Sequence, residues 1–284
     1  MMFASLFLAV ALEFTPHDAH VAYHVAKDLV TECTPRDAGT IRARIAANRI
    51  LDIASGSGAD VRRDVFRAMT PKGERDFTNL YAEFRSGGED ARWVILVSHY
   101  DTKPGTKCPG ANDGAATSGL LVGLVNAYER WATPKGNLLL VWTDGEECME
   151  SYGPNDGLWG SKRAAEYVAS SGRKIRAVIC VDMIGDRDLE ITVPANGSLP
   201  LAKIAVLAAK RIGCPGLVNL GDIHVKDDHV AFMDKGFSAI DLIDVCYGPN
   251  NSYWHTEKDT MENVSEESLF KSGRLVAEML NVLL

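Results

Sequence analysis

The stretch WTDGEECMESYGPNDGLWGS, residues 142–161, sets two glutamates side by side, Glu146 and Glu147, directly after an apolar run. Adjacent carboxylates at the mouth of a sheet suggest a division of labour, with one serving as a metal ligand and the other carrying protons. Standing alone, the pair would read as a solvated acidic turn. It has company. His99 and Asp101 close the run WVILVSHYD, Asp182 sits at the end of IRAVICVDMIG, and His255 in YWHTEKDT follows SAIDLIDV. Asp113, in GANDGAAT, opens the helical stretch after the first of these runs. Ligands of open α/β sheets gather outside the carboxyl ends of the strands, so these are places where reactive groups converge.

His99, Asp113, Glu147, Asp182 and His255 form a mixed imidazole and carboxylate set suited to zinc. Five ligands exceed one tetrahedral site. With Asp113 shared, the set divides into two sites of three, each with room for a common water, as in a two-metal hydrolase. Glu146 is then free to take a proton from that water and return it to a leaving amine. Asp101 can steady the His99 imidazole, or be a simple turn residue before Pro104-Gly105. Asp228 offers a carboxylate to a substrate amine, or a helix N-cap. His17, His20 and His24 recur at helical spacing, as a metal-binding face would, but precede the sheet and read as a solvated surface. His224 falls in a loop, and Trp142 and Trp159 read as packing residues.

Several elements must position these groups. Thr15-Pro16 caps and opens a helix reaching about Leu29, and TIRARIAANRILDIAS gives a second. DVRRDVFRAM and FTNLYAEFR alternate like edge strands, whereas WVILVSHYD is apolar throughout, as a strand buried on both faces should be. Helix GAATSGLLVGLVNAYERW, strand NLLLVWTDG, helix GSKRAAEYVASSG and strand IRAVICVDMIG continue an α/β alternation. Strand LEITV, helix LPLAKIAVLAAKRIG, strand SAIDLIDV and the closing helix EESLFKSGRLVAEMLNVLL complete it. That order predicts an α/β single-domain three-layer sandwich, with a mixed, largely parallel central sheet between helices. No linker divides residues 15–284.

The 284 residues, 46% of them hydrophobic, suffice for one large core. A net charge of -8 without a basic cluster argues against nucleic-acid binding. The six cysteines form no C-x-x-C pair, which argues against a Cys-based zinc site, and Cys148 and Cys180 fit buried free thiols. MMFASLFLAVAL, within an apolar segment 1–14, resembles a signal-peptide core with Ala9-Val10-Ala11 as a cleavage site, though it lacks a basic start. It is too short to span a membrane. The expectation is a periplasmic or secreted protein, with a cytoplasmic one as the alternative.

HYDT, GANDG, DGEE, VDMIG, DDH and WHTEKDT follow one another from His99 to Thr260. In this they resemble the zinc exopeptidase family of bacterial leucyl aminopeptidases and animal-type glutaminyl cyclases. The resemblance implies one zinc on His99, Asp113 and Asp182, a second on Asp113, Glu147 and His255, and Glu146 as general acid/base. The long loop CMESYGPNDGLW, DDHVAF and Trp254 are similar to the cyclases. Tyr152 stands where the cyclases carry a pocket-wall tryptophan, and Asp241 where they carry a histidine. On those departures the expectation is a two-zinc aminopeptidase acting on peptides with a free N-terminus. The alternatives are a glutaminyl cyclase, for which one ion suffices, and a non-catalytic peptide-binding domain. Asp228, Tyr152, Trp254 and Asp241 are the expected substrate contacts.

Overall fold

The computed structural model describes residues 11–56, 59–88, 90–134 and 136–284. Eight strands form one mixed sheet: β1 (Asp60–Thr70), β2 (Gly73–Arg85), β3 (Trp93–His99), β4 (Asn137–Thr143), β5 (Ile175–Asp182), β6 (Ile191–Val193), β7 (Val218–Leu220) and β8 (Ala239–Ile243). They lie in the order β1-β2-β4-β3-β5-β8-β6-β7. The four central strands, β4, β3, β5 and β8, run parallel, and β2 joins them antiparallel. β1 and β2 pair as an antiparallel hairpin, so the alternating exposure of β1 marks a sheet edge.

Alternation along the central strands sends side chains to two separate cores. Val94, Leu96, Leu138, Leu140, Ile179 and Leu242 face the larger core, against α1 (Pro16–Cys33), α2 (Ile41–Ser55), α3 (Thr117–Glu129), α5 (Leu199–Arg211) and α7 (Glu266–Leu283). Ile95, Val97, Leu139, Val141 and Val178 face the other, against α4 (Trp159–Ser170) and α6 (Asp228–Met233). The three-layer sandwich expected from the sequence is therefore the observed architecture. β7, three residues long, shows no period and was not foreseen, whereas α6 was expected only through the helix N-cap reading of Asp228. Among the described residues no helix is long and apolar enough to cross a membrane.

The first helix begins where Thr15 and Asp18 form a reciprocal capping box around Pro16, and it runs to Cys33, one turn beyond Leu29. It stops before Thr34-Pro35, since the residue ahead of a proline disfavours helical backbone. Residues 1–10 of the apolar N-terminal segment, and with them most of the signal-like run, lie outside the described residues. Part of that segment packs with the domain. Leu12 and Phe14 are buried in the larger core, and the Asn281 side-chain amide bonds both the N–H and the carbonyl of Leu12. All six cysteines are free thiols.

α1 and α3 cross at Gly119, where an added Cβ would stand 2.2 Å from the carbonyl oxygen of Ala22. A backbone atom cannot yield as a flexible side chain would. Gly119→Ala should therefore destabilise the protein by about 1–3 kcal/mol through overpacking. Thermal unfolding would show this as a drop of several degrees, and an unchanged midpoint would refute the close packing.

Candidate active site

β3 sends its chain to β4 on one side, and the later β5 lies on its other side, so the carboxyl ends of β3 and β5 flank a topological switch point. His99 ends β3 and Asp182 ends β5. His99 Nε2 lies 3.2 Å from Asp182 Oδ1 and 3.1 Å from Asp113 Oδ1. The second oxygen of Asp113 lies 3.2 Å from His255 Nε2, which is 2.8 Å from Glu147 Oε1. Asp113 thus joins two clusters, His99–Asp113–Asp182 and Asp113–Glu147–His255, in each of which the ligand atoms fall within 4.8 Å of one another.

The donor set fits a divalent ion in each cluster. His99 and Glu147 are nearly inaccessible, and neither oxygen of Glu147 has a well-aligned hydrogen bond despite the nearby imidazole. Buried carboxylate oxygens without donors are costly unless a cation satisfies them. Burial pushes the Asp182 carboxyl up to about 8. Burial also opposes ionisation of Asp113, but hydrogen bonds from His255 and His99 outweigh it and hold that carboxyl below its usual range.

Three other buried aspartates fix the loops that carry these groups. Asp101 accepts hydrogen bonds from the backbone N–H groups of Gly145, Glu146 and Glu147 at 2.9, 3.1 and 3.2 Å. It also stands 3.5 Å from His99 Nδ1, a nitrogen without a hydrogen-bond partner. Asp101 therefore seats the glutamate pair and stands beside the His99 ring. Asp259 does the same for the Asp113 loop, accepting from the amides of Asn112 and Asp113 at 2.7 and 3.3 Å. Asp156 accepts from the amides of Met149, Glu150 and Ser151 at 2.6, 2.8 and 2.8 Å, and so organises the loop between Cys148 and Trp159.

Gly114 has to be a glycine, because a Cβ there would meet the His99 carbonyl oxygen at 2.6 Å and its Nε2 at 2.7 Å. Met183 and His255, both at the site, hold left-handed backbone with φ near 53° and 58°. Such conformations cost an L-residue about 1–2 kcal/mol. The surrounding packing must hold them in place.

A cavity of about 350 Å³ opens beside the two clusters. Glu146 lines it and lies outside both ligand groups. Burial, then the charges of Glu147 and Asp227, push its carboxyl well above the usual range. A carboxyl raised in this direction holds its proton more readily, as a general acid/base must. The Tyr152 hydroxyl donates to Glu146 Oε1 at 2.8 Å, and the Tyr152 ring forms part of the cavity wall. Trp254 also lines the cavity, 44% exposed, and stacks on the His255 ring with centroids 4.1 Å apart.

Two expected substrate contacts need correction. Asp228 is fully buried and does not line the cavity: its carboxylate accepts from Thr143 Oγ1 at 2.5 Å. Nor is it the N-cap of α6, which is Asp227, the neighbour that does line the cavity. Asp241 is also fully buried, paired with Cys180 across β5 and β8 and 3.9 Å from His229. Burial, then the charge of Asp227, keep its carboxyl neutral well above the usual range.

Asp227 and Asp259 lie within the DDH and WHTEKDT segments, but adjacency alone could not say which aspartate faces the site. Lys103, whose Nζ lies 3.3 Å from Glu147 Oε2 and donates to the Cys148 carbonyl at 2.9 Å, carried no spacing signal. Lys226 and the apolar Ile223, Val225 and Val245 of the cavity wall carried none either. The surface reading of His20 and His24 holds, as does that of Trp142 and Trp159 as packing residues.

Comparison with known proteins agrees with this geometry. The model of peptidase family M28 matches residues 79–280. A glutaminyl-peptide cyclotransferase-like protein of Bos taurus is 27% identical over 292 residues, covering 89% of this chain and 73% of its own. A glutaminyl-peptide cyclotransferase of Drosophila melanogaster is 27% identical over 256 residues, covering 79% and 70%. Among solved structures, an Acidobacteriales bacterium glutaminyl cyclase superposes with a TM-score of 0.86 at 30% identity, covering 97% of each chain. A leucine aminopeptidase precursor of Bacteroides thetaiotaomicron shares the fold, with a TM-score of 0.84 at 23% identity over 96% of this chain and 99% of that one. The matched span contains all five residues of the two clusters and Glu146, and the chain belongs to peptidase family M28.

Proposed function

We propose that this chain is a glutaminyl-peptide cyclotransferase, closing an N-terminal glutaminyl residue to pyroglutamate with release of ammonia. The observation that carries this reading is the loop between Cys148 and Trp159. Seated on Asp156, it brings Tyr152 over Glu146 as both wall and hydrogen-bond donor. Similarity to cyclotransferases over most of the chain supports the same reading.

Hydrolysis was the sequence-based expectation because Tyr152 and Asp241 depart from the cyclase pattern. Neither departure weighs heavily in the folded protein. Tyr152 still presents an aromatic ring to the cavity, and Asp241 lies out of a substrate's reach. Ile223, Val225, Ile243, Val245 and Trp254 give the cavity an apolar wall, which suits a reaction in which the substrate supplies its own nucleophile and no water attacks.

In the proposed reaction the acidic cavity attracts the substrate's terminal amine, which becomes the nucleophile once it has lost its charge. Its nitrogen attacks the γ-amide carbon of the same residue, forming the ring C–N bond. Glu146 takes a proton from the attacking nitrogen and delivers it to the amide nitrogen, whose bond to carbon breaks as ammonia leaves. Tyr152 holds the Glu146 carboxylate toward this transfer. Zinc held by Asp113, Glu147 and His255 would polarise the γ-carbonyl. His99, Asp113 and Asp182 could hold a second ion, which hydrolysis needs and cyclisation does not.

Glu146→Gln should lower kcat by roughly 10²–10⁴-fold with little change in KM or in bound zinc. Glu147→Gln should lower zinc content instead, and equal zinc loss in both variants would refute the separate roles. Tyr152→Phe keeps the wall and loses one hydrogen bond, so kcat/KM should fall by only about 2–10-fold. Wild-type kinetics in that variant would remove Tyr152 from the argument. The reaction itself is decided by assaying zinc-loaded protein on glutaminyl, leucyl and alanyl peptides. Ammonia release from the first, little hydrolysis of the others, and cyclisation that survives His99→Ala are expected. Rapid leucyl hydrolysis abolished by His99→Ala would establish the aminopeptidase instead.

A further inference from the structure

We propose that His20, His24 and Glu266 form a surface site for a borderline divalent cation such as zinc, linking the first helix to the start of the last. His20 and His24 are four residues apart on α1, so their imidazoles stand one above the other on a single face. Their ring centroids are 4.2 Å apart. Glu266, the first residue of α7, approaches from the other helix, with both carboxylate oxygens 3.3 Å from His20 Nδ1. One ligand atom from each of the three residues falls within 4.8 Å of the others.

The 3.3 Å separation of His20 and Glu266 is what a metal requires, and the His24 ligand atom has at most about 1.5 Å to close. Ligands about 2.0–2.1 Å from a tetrahedral zinc lie roughly 3.3–3.4 Å from one another. Two imidazoles and one carboxylate would occupy three positions and leave the fourth to water. An ordinary ion pair between His20 and Glu266 would explain their contact, with His24 packed edge-on against His20 and Tyr23; the metal site adds the His24 nitrogen as third ligand. Asp28, one turn beyond His24, is engaged at 2.7 Å by Arg49. His17, one turn before His20, lies outside the group. The His20 and Glu266 side chains are 54% and 45% exposed, so an ion could enter without rearrangement of the core. Exposure also predicts weaker binding than in the buried clusters of the active site, because water competes for the ion.

The site is tested with the full-length protein, its buried clusters first loaded with zinc and unbound metal removed. Further zinc(II) is then titrated calorimetrically. The wild type should take up one additional equivalent, and His20→Ala and His24→Ala should each lose it. Glu266→Gln should weaken it by roughly tenfold, and His17→Ala should keep it. The additional zinc should raise the thermal midpoint of the wild type and not of His24→Ala. Turnover should be equal in all variants, since none of these residues lines the catalytic cavity. No additional equivalent in the wild type, or one that persists in the double variant His20→Ala/His24→Ala, would overturn the proposal.

Discussion

Crowding of like charge at the carboxyl ends of the central strands is the constraint on which the rest of this structure depends. Asp113, Glu146, Glu147, Asp182 and Asp227 all line one small cavity in which few of their oxygens reach water. Two carboxylates about 4 Å apart repel by roughly 4 kcal/mol at the effective dielectric of a protein site. An unrelieved cluster of five would therefore open the fold. Relief comes from His99, His255 and Lys103, each placed against these carboxylates. Divalent cations would complete it. A site built this way is strongly acidic when empty and correspondingly suited to bind metal.

Placing such groups demands rigid loops, and the chain achieves this with further aspartates turned away from the cavity. Asp101, Asp156 and Asp259 each accept two or three backbone amides from a loop carrying reactive residues. Several amides donating to one carboxylate fix the loop in one conformation. That rigidity makes the left-handed backbone at Met183 and His255 tolerable, because neighbouring contacts leave those residues no alternative. The chemistry therefore rests on two sets of acids: one facing the cavity, the other facing the backbone that holds the first in place.

The same arrangement explains why members of one fold can divide between hydrolysis and cyclisation. Both reactions polarise a carbonyl and move a proton through one carboxylate, and they differ in whether water or the substrate's own amine attacks. Under the proposed function, that choice would rest on the loop between Cys148 and Trp159, on the apolar side chains of the cavity and on whether a second ion is required.

The sequence by itself determined the layers and the ligand set. Runs apolar on both faces could only be central strands, and capped amphipathic stretches between them could only be covering helices. His99, Asp113, Glu147, Asp182 and His255 were legible because strand ends of a parallel sheet converge on one edge. Tertiary structure alone decided which neighbouring acid faces the cavity. Asp227 does and Asp228 does not, and Asp241 points into a closed interior, because helix entry angle and strand register set orientation and adjacency in the chain does not. It alone gave Asp101 its role under the glutamate pair, since that carboxylate meets amides more than forty residues away. Likewise it brought Glu266 to His20, from opposite ends of the chain, through the packing of the first helix on the last.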